Sequence, residues 1–256
     1  MTLLAALLAL AVGLSLGLLG GGGSILTIPI FRYALGMGVK ESIAMSLGVV
    51  SVTSLAGALR HWHKGNLDLK ALIAFAPAAV ISSYLGAKLA HFVPATVQMA
   101  GLGMVMAAAA VLMWGGGAAS LVPGSVESAE SVPSAAKSPR AEAIIGIGIG
   151  LGFLTGILGV GGGFLIVPAL VIILGLDIKK AVGTSLGVIS LNAAAGFVGY
   201  LGQVTMDWVL MAGFTAVAIA GVFAGAALVP KVSQLQLRRG FAVFLIAVAV
   251  YILIRR

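Results

Sequence analysis

The sequence predicts an all-α polytopic membrane protein made of two homologous halves. Three observations support this class: the composition, the long uncharged runs and an internal repeat. The chain has 256 residues, of which 61% are hydrophobic and only 9% charged, whereas about 25% of the residues of a soluble domain are charged. The uncharged runs reach the roughly 20 residues that a membrane-spanning helix needs. They do not alternate in polarity, as the strands of a membrane β-barrel do.

The positive charge of the chain follows the pattern of membrane loops. The formal net charge is +8, and the Lys and Arg residues stand between the apolar runs, which is typical of cytoplasmic loops. This distribution argues against nucleic-acid binding. The chain has no cysteine, which excludes disulfides and thiolate metal sites.

A repeat relates the first half of the chain to the second. The stretch "LGLLGGGGSILTIPI" (16–30) is matched by "TGILGVGGGFLIVPA" (155–169), with Pro29 and Pro168 separated by 139 positions. The same offset pairs "SLGVVS" (46–51) with "SLGVIS" (185–190). Because proline and serine positions match as well as apolar ones, we interpret this as a true repeat rather than shared composition.

The two halves meet at a polar linker. Residues 115–142 are rich in Ser, Pro, Gly and charged residues, which is typical of an aqueous linker. We therefore predict a first membrane repeat at 1–114, a cytoplasmic linker at 115–142 and a second membrane repeat at 143–256.

The first apolar run of each half is too long for one crossing. Met1–Phe31 and Ala143–Leu176 would measure about 45–50 Å as straight helices, and glycines interrupt both. Either each run crosses once and adds a re-entrant piece, which gives parallel halves with eight crossings, or each forms a Gly-broken helical hairpin. With hairpins, each half then crosses three more times and the halves are inverted repeats.

The distribution of Lys and Arg favours the inverted arrangement. Eight crossings would divide these residues seven to eight between the two sides, whereas inverted halves divide them ten to five. By the positive-inside rule, the second division places the linker in the cytoplasm and both termini outside.

The predicted spans favour an anion path. Every Asp and Glu lies near a predicted span end or in the linker, whereas cation carriers usually expose an intramembrane carboxylate. The remaining polar groups of the spans are glycine backbone and small side chains. The candidate substrate-binding residues are Gly20, Gly21, Gly22, Gly23, Ser24, Ser46, Ser51, Thr53, Gly159, Gly161, Gly162, Gly163, Thr184, Ser185, Ser190 and Asn192.

Each candidate group also has a structural interpretation. A half-helix after each glycine run would present free N–H groups and a positive dipole end, with Ser24 as an N-cap and Pro29 and Pro168 as structural hinges. Ser46 and Ser51 either line the path or bond to helix carbonyls. For Gly57, Gly86 and Gly101 we predict close helix packing instead.

The cluster "RHWHKG" (60–65) carries the densest charge in the chain. Its two histidines at i and i+2 do not share a helix face, and no cysteine completes a metal site. We predict a basic interfacial loop anchored by Trp62, and no metal site.

With these motifs the sequence resembles the TauE/SafE family of membrane proteins, the sulfite and organosulfonate exporters. The resemblance rests on the duplicated elements "GLLGGGGSILTIP" (17–29) and "GILGVGGGFLIVP" (156–168). The first copy departs from the second at "AM" (44–45), where the second has "GT" (183–184).

The resemblance implies a secondary transporter in the cytoplasmic membrane that exports small sulfur-containing anions, held between the two glycine breaks. A passive anion channel and a non-transporting membrane scaffold or sensor stay open as alternatives. An intramembrane enzyme would need a catalytic pair that the sequence does not offer. We expect no cofactor, with H⁺ or Na⁺ as the coupling ion, and the lipid bilayer and a small oxyanion as the partners.

Overall fold

The protein is built from α-helices joined by short turns. The computed structural model describes residues 3–19, 23–114, 141–159, 163–228, 243 and 246–252, and no β-strand occurs within these ranges. This confirms the predicted all-α class. The helices are α1 (Leu3–Leu19), α2 (Ser24–Pro29), α3 (Val39–His63), α4 (Leu69–Leu89), α5 (Ala95–Trp114), α6 (Ala141–Leu158), α7 (Gly163–Leu174), α8 (Ile178–Tyr200) and α9 (Trp208–Leu228), and residues 246–252 are also helical.

Four of the described helices are long and apolar enough to cross a membrane. They span Val39–His63, Leu69–Phe92, Lys179–Tyr200 and Trp208–Leu228. The first and third are 72% and 67% buried inside the protein, whereas the second and fourth are 39% and 33% buried. Thus α3 and α8 form the centre of the molecule, and α4 and α9 lie further out.

The central helices α3 and α8 run antiparallel. Gly48 near the start of α3 lies against Phe197 near the end of α8, and Gly57 near the end of α3 lies against Leu186 near the start of α8. The two helices occupy equivalent positions in the sequence repeat and run in opposite directions.

Glycines allow the first helix of each half to pack on the helix that follows the central helix of the other half, α1 on α9 and α6 on α4. A Cβ on Gly156 of α6 would lie 2.1 Å from the Ser83 carbonyl oxygen of α4. At the equivalent position of the first half, a Cβ on Gly17 of α1 would lie 2.3 Å from the Val222 carbonyl oxygen of α9. Such backbone-to-backbone approach is typical of membrane helix pairs. The predicted packing role of Gly86 is confirmed, since it faces the α6 backbone in the same contact.

The second half opens with a hairpin. Helix α6 runs in the same direction as α4, because Gly148 lies by Phe75 and Gly156 lies by Ser83 further along both helices. Helix α8 begins at the end of the molecule where α4 begins, since the Thr184 hydroxyl accepts a hydrogen bond from the loop before α4. Helix α7 therefore returns the chain toward the end at which α6 entered.

The first half repeats this path. Helix α1 runs alongside α9 in the same direction, with Gly13 by Ala218 and Gly17 by Val222. After the glycine run, Gly23 lies back against the backbone of Leu16. The chain then continues through α2 and a π-helical turn at Ile30–Ala34 to the start of α3.

Candidate functional site

The candidate site is built around the point where α3 and α8 cross. There the Ser51 hydroxyl donates a hydrogen bond to the Ser190 carbonyl over 3.2 Å, and the Ser190 hydroxyl donates to the Ser51 carbonyl over 2.9 Å. The two residues are equivalent in the repeat. These two reciprocal hydrogen bonds join α3 to α8 at the crossing.

The second glycine break lies beside the first half of α3. Gly159 has a φ of +70°, a conformation that costs glycine little and other residues more, and its N–H donates to the Thr155 carbonyl over 2.8 Å. A Cβ here would also lie 2.6 Å from the Ile43 side chain. The Ser46 hydroxyl lies 3.5 Å from the Gly159 carbonyl oxygen, so a predicted site residue of α3 reaches the break in the other half.

The flanks of the first glycine break are buried. Gly23 is the N-cap of α2, and Ser24, the first helical residue, is fully buried. The prediction that Ser24 is the N-cap is therefore wrong by one position, because helical geometry already begins there. Gly20, Gly21, Gly22, Gly161 and Gly162 lie outside the described residues.

Both proline positions fall inside the returning helices of the hairpins. Pro29 is the last residue of α2, and the π-helical turn follows it directly. Proline lacks the N–H that would continue the hydrogen-bond ladder, which accounts for the change in helix type. Pro168 lies in the middle of α7.

The side chains predicted to line the path fall into two groups, those with a hydrogen-bond partner and those without one among the described residues. The Thr53 hydroxyl donates to the Val49 carbonyl of its own helix over 2.7 Å, and the Ser185 hydroxyl donates to the Val182 carbonyl over 2.8 Å. The Thr184 hydroxyl accepts from the Asp68 N–H over 2.9 Å. Of these three groups, only Thr184 joins its helix to another segment, whereas Thr53 and Ser185 bond within their own helices.

Asn192 behaves differently. It is fully buried, and neither its amide nitrogen nor its amide oxygen has a hydrogen-bond partner in the part of the chain that the structure describes. Its backbone carbonyl accepts a hydrogen bond from the Ser83 hydroxyl over 2.8 Å. Buried polar groups are usually hydrogen-bonded, so this amide stands out in the candidate site.

Comparison with known proteins identifies the family. The family described as "Sulfite exporter TauE/SafE" matches residues 5–252. The chain belongs to this family. Among its relatives, a "Probable membrane transporter protein" of Xylella fastidiosa (strain 9a5c) is 30% identical over 247 residues, covering 95% of this chain and 92% of the relative.

Further relatives carry the same description. "Probable membrane transporter protein YdhB" of Bacillus subtilis (strain 168) is 30% identical over 224 residues, covering 86% of this chain and 88% of that protein. A relative from Methanocaldococcus jannaschii is 28% identical over 227 residues, covering 85% and 80%. No solved structure matches the chain significantly. This TauE/SafE chain is thus a multi-pass membrane transporter.

The duplicated TauE/SafE element corresponds to the two hairpins. Its first copy runs from Gly17 to Pro29 through α1 and α2, and its second from Gly156 to Pro168 through α6 and α7. The described residues next to the two glycine breaks lie beside opposite ends of α3. Gly159 lies near Ser46, whereas Gly17 packs on Val222, which also approaches Gly57. Eleven residues of α3 separate these levels, which is about 16 Å of helix.

Sequence reasoning missed a polar cluster beside the second break. The carbonyl of Ile157, the next-to-last residue of α6, accepts hydrogen bonds from the Gln98 amide over 3.1 Å and from the Tyr200 hydroxyl over 3.3 Å. Gln98 also donates to the Tyr200 oxygen over 3.3 Å. In the sequence, a single Gln and a Tyr within apolar runs are the features that indicate this cluster. The hydroxyls of Thr27 and Ser54 are also buried without a partner among the described residues.

Proposed function

We propose that this TauE/SafE transporter is a secondary transporter that exports small sulfur-containing anions, sulfite or organosulfonates, across the cytoplasmic membrane by alternating access. The substrate class comes from the family description. The lack of acidic residues in the two central helices supports a negatively charged substrate. The uncharged core of α3, from Ser42 to Leu59, and the corresponding stretch of α8, from Ala181 to Tyr200, contain no Asp or Glu. A carboxylate there would repel an anion at close range.

We place the two halves in the membrane as inverted repeats. The antiparallel course of α3 and α8 supports this placement, because two equivalent spans that run in opposite directions require a two-fold axis in the membrane plane. The Lys and Arg distribution then places the linker at 115–142 in the cytoplasm. Each hairpin enters and leaves on one side, as α6 and α7 do around the second break.

The observation that carries the proposal is the closed crossing between α3 and α8. The reciprocal bonds of Ser51 and Ser190 lie between the level of Ser46 at the second break and the level of Gly57 toward the first. An anion bound there needs neutral donors, which backbone N–H groups of the glycine breaks and the serine hydroxyls can supply. Because the levels of the breaks are about 16 Å apart, the anion would meet them in turn.

Alternating access then requires the contacts between α3 and α8 to break on one side of the crossing and to form on the other. Opening on one side would separate one end of α3 from α8, while the glycine packing keeps α1 on α9 and α6 on α4. Each hairpin would move with the outer helix of the other half.

Radiolabelled sulfite flux in proteoliposomes tests this function. We expect saturable uptake that responds to an imposed Na⁺ or H⁺ gradient and falls by about tenfold or more in Gly22→Leu and Gly161→Leu, because a bulky side chain would close the approach to the backbone N–H groups. Gly150→Leu is the matched control, since a Cβ at Gly150 meets open space.

Three results would separate the alternatives. Flux that follows the sulfite gradient and ignores imposed ion gradients would favour a passive channel. Uptake no greater than in protein-free liposomes, together with no thermal shift by sulfite or sulfonates, would favour a scaffold or sensor. Unchanged uptake in both glycine variants would leave the function standing and remove the breaks from the site.

A further inference from the structure

One buried amide in the core makes no hydrogen bond to the described part of the chain. The side chain of Asn192 is 0% exposed, and both its Nδ2 and its Oδ1 are unpartnered within the described ranges. An amide offers two donors and an acceptor with two lone pairs. Because both ends are unsatisfied, exchanging the assigned positions of the nitrogen and oxygen would change nothing in this conclusion.

The equivalent position in the first half shows that the scaffold does not require an amide. Thr53 stands there, and its hydroxyl donates to the Val49 and Val50 carbonyls one turn earlier in its own helix. The backbone at Asn192 is held separately, by the bond from Ser83 to its carbonyl. The amide therefore brings hydrogen-bonding capacity that neither its own helix nor its described neighbours use.

The position of the amide relates it to the proposed path. Asn192 lies two residues beyond Ser190, about 3 Å along α8 from the crossing, on a different face of the helix. Gly196, one turn further along the face of Asn192, approaches the Leu47 side chain of α3 and the Ser83 hydroxyl of α4. Ser54, whose buried hydroxyl also has no partner in the described part of the chain, lies three residues beyond Ser51, about 4.5 Å along α3. Two unsatisfied polar groups thus flank the point where α3 and α8 meet.

We infer that Asn192 is the specificity-determining residue for the transported anion, and that it selects substrates that carry a hydrogen-bond donor as well as an oxyanion. This inference rests on the proposed transport function. The amide N–H groups donate to an oxyanion oxygen. The amide oxygen can only accept, so it needs a donor on the substrate, such as the hydroxyl of a monoprotonated oxyanion or a hydroxyl or amine on an organosulfonate.

Competition against labelled sulfite uptake in proteoliposomes tests the inference. The probes are 2-hydroxyethanesulfonate and ethanesulfonate, which differ by one hydroxyl donor. We expect the wild type to prefer the hydroxylated competitor by about tenfold, the ratio that one additional hydrogen bond supplies. Asn192→Leu should lose this preference, and Asn192→Gln, which keeps the amide donors and acceptor, should retain part of it.

A buried threonine outside the proposed site serves as the matched control. Thr215 in α9 is 9% exposed and donates to the Met211 carbonyl of its own helix, so Thr215→Val should keep the wild-type preference. Should Asn192→Leu fail to fold, Asn192→Ser provides a smaller polar replacement, for which a reduced preference is again expected.

Each outcome decides between distinct readings. Equal preference in wild type and Asn192→Leu, with labelled uptake intact, would overturn the inference and leave the transport function standing. A thermally stabilised Asn192→Leu with unchanged competition would assign the amide to a buried water. Wild-type proteoliposomes without sulfite or sulfonate uptake would overturn both the proposed function and the selectivity.

Discussion

The two halves of the molecule share a backbone path but differ in some of their polar side chains. Ser51 and Ser190 occupy equivalent positions and make the same bond in opposite directions. Two residues further on, Thr53 is satisfied by its own helix, whereas its counterpart Asn192 is unpartnered among the described residues. The comparison shows that an approximately two-fold scaffold holds an asymmetric polar interior, so a substrate at the crossing would meet different groups from each half.

A second difference lies at the ends of the central helices. Tyr200 donates a hydrogen bond to the Ile157 carbonyl beside the second glycine break. The equivalent residue of α3 is His61, whose Nδ1 is buried without a described partner. The Tyr200 hydroxyl therefore stabilises the end of α6 beside the second break. The first half has a histidine at the equivalent position.

The largest expected effect comes from the glycine contacts that the halves share. Gly156→Val and Gly17→Val should each lower the free energy of unfolding by about 3 kcal/mol, because the new side chain would overlap a backbone carbonyl of the partner helix. Chemical denaturation in detergent measures both. Gly146→Val is the control, since a Cβ there has open space. A large difference between the two variants would break the equivalence of the halves.

A smaller effect is expected at the turn of the second break. Gly159→Ala combines a positive φ with a Cβ that would lie 2.6 Å from Ile43, so we expect a loss of about 2 kcal/mol. Gly36 also has a positive φ, of +69°, but no atom within 4 Å of its Cβ position. Gly36→Ala should therefore cost only about 1 kcal/mol. Equal losses, measured by thermal unfolding, would show that the packing at the break contributes nothing.

The smallest effect is expected for the bond that distinguishes Tyr200. Tyr200→Phe should lower the free energy of unfolding by about 1 kcal/mol, because the buried Ile157 carbonyl loses one of its two side-chain donors and keeps Gln98. Tyr84→Phe, at a side chain that is 39% exposed, should change it by less than about 0.5 kcal/mol. If both variants unfold alike, the second break does not depend on this bond.

The sequence was sufficient for the architecture because repeat and hydropathy are local in the chain. Composition predicted the helices, the 139-residue offset predicted the equivalent halves, and the small side chain of Gly86 predicted close packing. The same pattern could not tell that Thr53 turns back to its own helix or that Asn192 finds no partner. Whether each side chain finds a hydrogen-bond partner depends on which helices meet in the fold and on the rotamer of that side chain.

The polar cluster of Gln98, Tyr200 and Ile157 illustrates the same limit. Its members lie in three different helices, and the bonds join residues 102, 59 and 43 positions apart. No periodicity in one segment can predict that they meet at the end of α6. Ser24 shows the opposite case, where the helix was predicted but its first residue was misplaced by one position.

A disulfide across the α3–α8 crossing tests the central claim most directly. The chain has no cysteine, and the reciprocal hydroxyl-to-carbonyl hydrogen bonds of Ser51 and Ser190 place the two residues in contact, which makes them the pair to bridge. The variant with both Ser51→Cys and Ser190→Cys would be oxidised in proteoliposomes and assayed with a labelled organosulfonate, because sulfite itself cleaves disulfides. The account predicts that uptake stops on oxidation, returns on reduction and is insensitive to oxidation in each single variant. Full uptake with the cross-link formed would contradict alternating access at this crossing.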